Sequence, residues 1–231
     1  MTKQERATRT RQALIRSAAE EFDRHGYAQA KLAMISSGAG VSQGALHFHF
    51  VNKAAVAESV EAAASRTLRR AARMAHRNDA GPLQTLTDIS HAVAHLLRRD
   101  IVVRAGFQLS CDRSRPTDLN LRQEWQGCVR QLLAAADDED VLAEGVDQQA
   151  MTRTIVAATI GFEALSRNNR EWLSRCTLTG FWQVLLPWLA VPEVLGRLDP
   201  AGRESVIEEL RLLPGQTRVS PLTDTRSNAL A

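Results

Sequence analysis

Gly38-Ala39-Gly40-Val41-Ser42-Gln43-Gly44-Ala45-Leu46-His47-Phe48-His49-Phe50 has the pattern of a tight turn running into a short helix. Two glycines within three residues make a tight turn, and Ser42 offers a side-chain oxygen that caps a following helix, 43–49, whose first turn is small and uncharged. Upstream, Leu32 and Ile35 share one face of a second short helix, 31–37. Before that, Leu14, Ile15, Ala18, Ala19 and Phe22 recur at helical spacing over 8–25, with Gly26 as the stop. Two short helices joined by a glycine-bearing turn and backed by a longer one form a helix-turn-helix unit.

In such a unit the second short helix lies in the major groove, so its first residues must be small enough for close approach or polar enough to read base edges. Gln43 can hydrogen-bond an adenine, Ala45 can touch a thymine methyl, and Gly44 lets the backbone approach the phosphates. Ser42 closes the helix start, where the remaining amides face an anion. His47 and His49 lie two apart on different helix faces and cannot share a metal; His47 is expected toward the DNA backbone and His49 in packing. Phe50 reads as a core residue; Phe48 reads as core or as part of the DNA-facing set. Asn52 can cap the next helix, which places Lys53 beside the phosphates, although any lone lysine is also a plausible solvated surface charge.

Outward from this unit the periodicity is helical nearly everywhere, which predicts an all-α chain. A long helix is expected over 53–76, with Val56, Val60, Ala63 and Leu68 inward and Arg66, Arg69, Arg70, Arg73 and Arg77 on a solvated face. Further helices are expected over 83–98, 101–109, 121–136, 147–166, 172–189 and 204–212. The net charge of +3 conceals a division: residues 1–78 carry 13 Lys/Arg against 6 Asp/Glu, net +7, whereas 79–231 carry 16 against 20, net −4. A polyanionic partner explains the positive end, since phosphate neutralisation releases counterions; on charge alone RNA or an acidic protein would serve equally.

Other chemistries find little support. Cys111, Cys128 and Cys176 are odd in number, far apart and without a CxxC pair, so they read as reduced side chains rather than zinc or redox groups. His91 and His95 have the spacing of paired metal ligands on a helix, but Ala92 stands where a metalloprotease needs its glutamate base. The run Asp137-Asp138-Glu139-Asp140 reads as a solvated turn, and no nucleophile elbow, P-loop or dinucleotide fingerprint occurs. No enzyme, cofactor or metal site is expected. The charged start, Met1-Thr2-Lys3-Gln4-Glu5-Arg6, lacks the apolar run of a secretory signal, and the most apolar stretch, 181–195, falls short of a membrane span, which predicts a cytoplasmic protein.

Phe22-Asp23-Arg24-His25-Gly26-Tyr27, the turn Ala39-Gly40-Val41-Ser42, and Gly44-Ala45-Leu46-His47-Phe48-His49-Phe50 followed by Lys53 together resemble the TetR-family DNA-binding domain. The resemblance implies three DNA-binding helices, a connecting helix and an all-helical ligand and dimer domain. Two departures concern the phosphate grip: Ala30 and Lys31 stand where the family has threonines, with Lys31 a substitute contact, and His47 replaces a tyrosine. Ala105-Gly106 with Leu109 and Glu124-Trp125, taken with 46–50, are similar to the γ-butyrolactone-receptor branch, which implies that Trp125 lines an effector cavity; a core tryptophan is the competing reading. Thr159 is a candidate polar group of that cavity. Ala64, where lactone-binding relatives carry glutamine, keeps an antibiotic or biosynthetic intermediate open beside a butyrolactone as effector.

The division expected is a helix-turn-helix domain over 1–52, an effector-binding and dimerisation domain over 53–213, and a disordered tail over 214–231. Segments 155–165 and 177–189 carry enough apolar surface to pair with their copies in a homodimer. The function predicted is repression of double-stranded operator DNA, relieved when a small molecule favours a conformation with the wrong spacing between the two reading helices. The alternative is a small-molecule-sequestering protein whose N-terminal domain is vestigial or docks another protein.

Overall fold

Residues 2–77, 80–112 and 120–211 are described by the structure, a computed structural model. Among them the chain forms eleven α-helices, one 3-10 turn and no strand. Helix α1 (Lys3–Gln29) opens with a reciprocal cap, Thr2 accepting from the Glu5 N–H and Glu5 accepting from the Thr2 N–H. The regular helix breaks where the expected stop stands, Gly26 adopting φ +70°. Helix α2 (Leu32–Gly38) has no side-chain cap, as the absence of threonine there leads one to expect. Helix α3 (Gln43–His49) has the expected bounds, and Ser42 Oγ accepts from the Ala45 N–H at 3.1 Å. Gly40, at φ +68°, is the left-handed residue that turns the chain from α2 into α3. Asn52 caps helix α4 (Lys53–His76) through Oδ1 to the Ala55 N–H.

The remaining helices are α5 (Pro82–Arg99), α6 (Ile101–Leu109), α7 (Leu121–Asp138), α8 (Gln148–Ser166), α9 (Arg175–Leu189), α10 (Pro192–Leu195) and α11 (Glu204–Arg211). The single helix expected over 172–189 is divided. Ser174 takes an extended conformation and its hydroxyl caps α9 at Thr177, so Trp172 falls in a 3-10 turn, Arg170–Leu173. The expected tail, 214–231, lies outside the described residues.

Two apolar cores are present. The first gathers Leu14, Ala18, Phe22, Ile35, Leu46 and Phe50 with Val56 and Val60 of α4, and it takes in Ala105 and Leu109 of α6. The second is built around α5, which is buried on nearly every side and packs against α4, α6, α7, α8, α9 and α11. Buried polar residues of α5 are met from other parts of the chain: Asp88 accepts from the Arg203 N–H and guanidinium at 2.8 and 2.6 Å, and Gln84 exchanges hydrogen bonds with Asp199. His91 Nε2 donates to the Pro200 carbonyl at 2.9 Å, and burial pushes its pKa below the ordinary histidine value, so it is neutral and engaged. These contacts clamp the segment before α11 to the central helix.

Candidate functional site

On α3 the buried and exposed residues separate as a groove-reading helix requires. Leu46 is fully buried and fixes the helix on the first core, whereas Gln43, Gly44 and His47 are exposed and Ala45 half-exposed. Phe50 is 3 % exposed, and the Arg11 guanidinium lies 5.3 Å above its ring. Phe48 is different: at 83 % exposed it takes no part in the core, which corrects that reading of it. Its ring meets the half-buried His49 ring edge-on at 5.3 Å and otherwise projects outward beside His47. Lys31 is also exposed, and its backbone N–H donates to Glu21, a nearly buried carboxylate of α1. Glu21 thus does part of the work of the missing cap on α2, a role with no local signal because ten residues separate the partners.

Lys53 is more engaged than a surface lysine would be. Its Nζ donates to the carbonyls of Tyr27, Ala28 and Ala30 at 2.8, 3.0 and 3.1 Å and lies 4.7 Å from the Tyr27 ring. An ammonium has three N–H donors, and all three are directed at the orphan carbonyls that end α1. Lys53 therefore ties α4 to α1, adding positive charge near the reading face without an N–H to spare.

Hydrogen bonds and one close crossing tie α1 and α4 to the helical body. Asp23 of α1 receives a two-pronged bond from Arg104 of α6, at 2.9 and 3.2 Å, and a weaker one from Gln108. Gly106 of α6 crosses α4 so closely that a Cβ there would lie 2.5 Å from the Ala64 methyl. Glu124 of α7 accepts from Ser65 and from two nitrogens of Arg69, both on α4. Arg69 is thus an anchored member of the outward arginine row rather than a purely solvated one.

The two candidate effector residues come together. Trp125 is 6 % exposed, and its indole N–H donates to Thr159 Oγ1 at 3.2 Å, while the Thr159 hydroxyl donates to the Ile155 carbonyl. Thirty-four residues apart in sequence, they form one polar contact in an otherwise apolar region between α7 and α8. Ala64 faces α6 at the close crossing. Among the described residues no group of three or more His, Cys, Asp or Glu is arranged to hold a metal, and no helix is long and apolar enough to cross a membrane. Burial raises the Cys128 thiol to about 11 and pushes Cys111 upward as well, which leaves both protonated near neutrality.

Comparison with known proteins agrees with this architecture. The profile of the bacterial regulatory proteins, tetR family, matches residues 14–60. The A-factor receptor protein of Streptomyces griseus is 28% identical over 215 residues, covering 91% of this chain and 75% of its own. A γ-butyrolactone receptor structure (ArpA-like protein) superposes with a TM-score of 0.73 at 26% identity, covering 88% of this chain and 98% of its own. CprB of Streptomyces coelicolor, solved with its biological operator sequence, gives 0.74 at 27% identity over 88% and 99%. Full-length TylP, a TetR regulator from Streptomyces fradiae, is 30% identical, with a TM-score of 0.69 over 87% of this chain and 96% of its own. The chain belongs to the TetR family. In this TetR-family protein the matched stretch coincides with the part of the first core that α1 to α4 supply, from Leu14 to Val60, to which α6 adds Ala105 and Leu109.

Proposed function

We propose that this TetR-family chain is a homodimeric transcriptional repressor that binds operator DNA through α3 and is released by a small-molecule effector held in the helical body. The observation that carries the reading is the capped α3 with its outward Gln43, Gly44, Ala45, His47 and Phe48, in a chain that matches the operator-bound CprB along nine-tenths of its length. Ser42 caps that helix and Lys31 flanks it; Lys53 acts mainly by joining α1 to α4 and by its charge. Residues 1–52 form the reading domain and 53–213 the effector-binding and dimerising one, with α6 and the start of α4 packed into the first core as the joint. The protein works in the cytoplasm, where its DNA is.

The two relatives described as an A-factor receptor and a γ-butyrolactone receptor favour an effector of γ-butyrolactone type, or an antibiotic or biosynthetic intermediate, in the control of antibiotic production. Without effector, Trp125 and Thr159 satisfy each other; a ligand entering between α7 and α8 must break that bond or join it. Movement of Trp125 would be felt next door by Glu124, which is bonded to Ser65 and Arg69 on the helix that carries the reading domain. The effector acts by preferring the arrangement in which the two α3 helices no longer match successive major grooves.

Two substitutions test the reading. Gln43→Ala is expected to cost about 1–3 kcal/mol of discrimination at one base pair per half-site, with non-specific affinity unchanged; binding to single-base operator variants measures this, and unaltered discrimination would remove Gln43 from the groove. Trp125→Ala is expected to bind operator within about threefold of wild type and to need at least tenfold more of any releasing compound found in a panel of butyrolactones, furans and antibiotics. A full response in that variant would place the effector elsewhere.

A further inference from the structure

A cleft of about 300 Å³ opens between the end of α1 and the helical body. Four guanidinium-bearing residues line it, Arg98, Arg104, Arg167 and Arg170, against one lining carboxylate, Asp23. Its floor is apolar, made by the buried Phe22, Leu97 and Leu173. Three of the arginines have carboxylate partners: Arg104 holds Asp23, Arg167 holds Glu163 through two bonds of 3.1 Å, and Arg98 holds Glu171 at 3.1 Å. Arg170 makes no ion pair among the described residues.

Three carboxylates offset three of these arginines, which leaves Arg170 as the positive charge in excess, and a cleft with low-dielectric walls concentrates its field, so the ligand-sized space favours an anion. A guanidinium fork matches a planar carboxylate, and the apolar floor accepts a hydrocarbon body. We propose that this cleft is a second small-molecule site, taking an organic anion with a carboxylate on an apolar body, and that its occupation weakens operator binding. The site is separate from the Trp125–Thr159 contact, and only its effect on operator binding rests on the function proposed above.

The coupling follows from what already occupies Arg104. Asp23 belongs to the reading domain and is the carboxylate that holds α1 to α6. A carboxylate bound at Arg170 and Arg104 competes with Asp23 for the same fork and repels it, which loosens α1 from the body. By linkage, operator binding and anion binding then oppose each other.

Calorimetric titration of the full chain, without DNA and at fixed ionic strength, with 2-naphthoate and its neutral analogue 2-naphthamide tests the site. One naphthoate per chain is expected, with naphthamide at least tenfold weaker, Arg170→Ala at least fivefold weaker, and Asp23→Asn at least threefold tighter because the internal competitor loses its charge. No binding, equal binding of naphthamide, or affinity unmoved by both substitutions would overturn the site. In a second arm, saturating naphthoate should lower operator affinity at least threefold relative to chloride at the same ionic strength, and Arg170→Ala should abolish the difference. Unchanged operator affinity with naphthoate bound overturns the coupling. A chain that binds no duplex at all sinks the repressor reading, and the coupling with it, while the first arm still judges the site.

Discussion

Replacing both Val184 and Trp188 with glutamate is expected to turn the protein into monomers and to weaken operator binding by a factor of about one hundred or more. These two residues lie one helical turn apart on α9 and are 71 % and 73 % exposed in the single chain, and Leu165 at the end of α8 adds an apolar contribution at 47 %. Two large apolar side chains exposed on one face of a helix mark a surface that another molecule covers. A second copy is the economical partner, because an isologous contact lets the same residues serve both sides. The substitutions place four negative charges in that interface and remove apolar area worth about 25 cal/mol per Å² buried, while leaving the monomer's cores untouched. Helical circular dichroism should therefore be unchanged, sedimentation equilibrium should give the monomer mass, and each reading head should bind its half-site alone. A variant that stays dimeric would move the interface off α9.

The second large effect is expected at the α4–α6 crossing. Gly106→Ala puts a methyl 2.5 Å from the Ala64 methyl and 3.4 Å from the Val60 carbonyl oxygen, and neither neighbour is a flexible side-chain end. The two helices must separate, at a cost of about 1–3 kcal/mol, which lowers the midpoint of thermal unfolding by about 2–12 °C. Ala64→Gly alone costs about 1 kcal/mol of helix propensity; added to Gly106→Ala it should instead restore stability. The sign of that coupling, read from a double-mutant cycle, is the decisive quantity. Simple additivity of the two losses would mean that the crossing is looser than the described geometry.

What was legible in the sequence was what local chemistry determines. The bounds of α3, its Ser42 cap and the Asn52 cap of α4 follow from neighbouring residues, and all appear in the structure. Leu46 and Phe50 are buried, as the helical period requires, but Phe48 shows that a large apolar side chain beside two core positions need not join them when its helix face points outward. The engagement of Lys53 was not legible because its three acceptors are backbone carbonyls 23 to 26 residues away, invisible to any side-chain pattern. Nor was the Asp23–Arg104 link, whose partners lie 81 residues apart and meet only when α6 packs on α1. The break at Ser174 escaped the reading because the apolar period continues through it; the hydroxyl cap, not a change of pattern, ends one turn and starts the next helix. Trp125 and Thr159 are thirty-four residues apart in sequence, and their hydrogen bond comes from the packing of α7 on α8.

If α3, presented by a pair of chains, reads duplex DNA, the intact protein must bind its own upstream DNA in a sequence-selective and salt-dependent way. Fluorescence-anisotropy titration of the intact protein against the duplex lying upstream of its own coding sequence, repeated across a series of salt concentrations, tests it most directly. Saturation is expected at an even number of chains per duplex, with affinity at least 10³-fold above that for unrelated DNA and a slope of log affinity on log salt of roughly −4 to −8, close to one per phosphate contacted. Binding of one chain only, equal affinity for every duplex, or no binding at low ionic strength would contradict it.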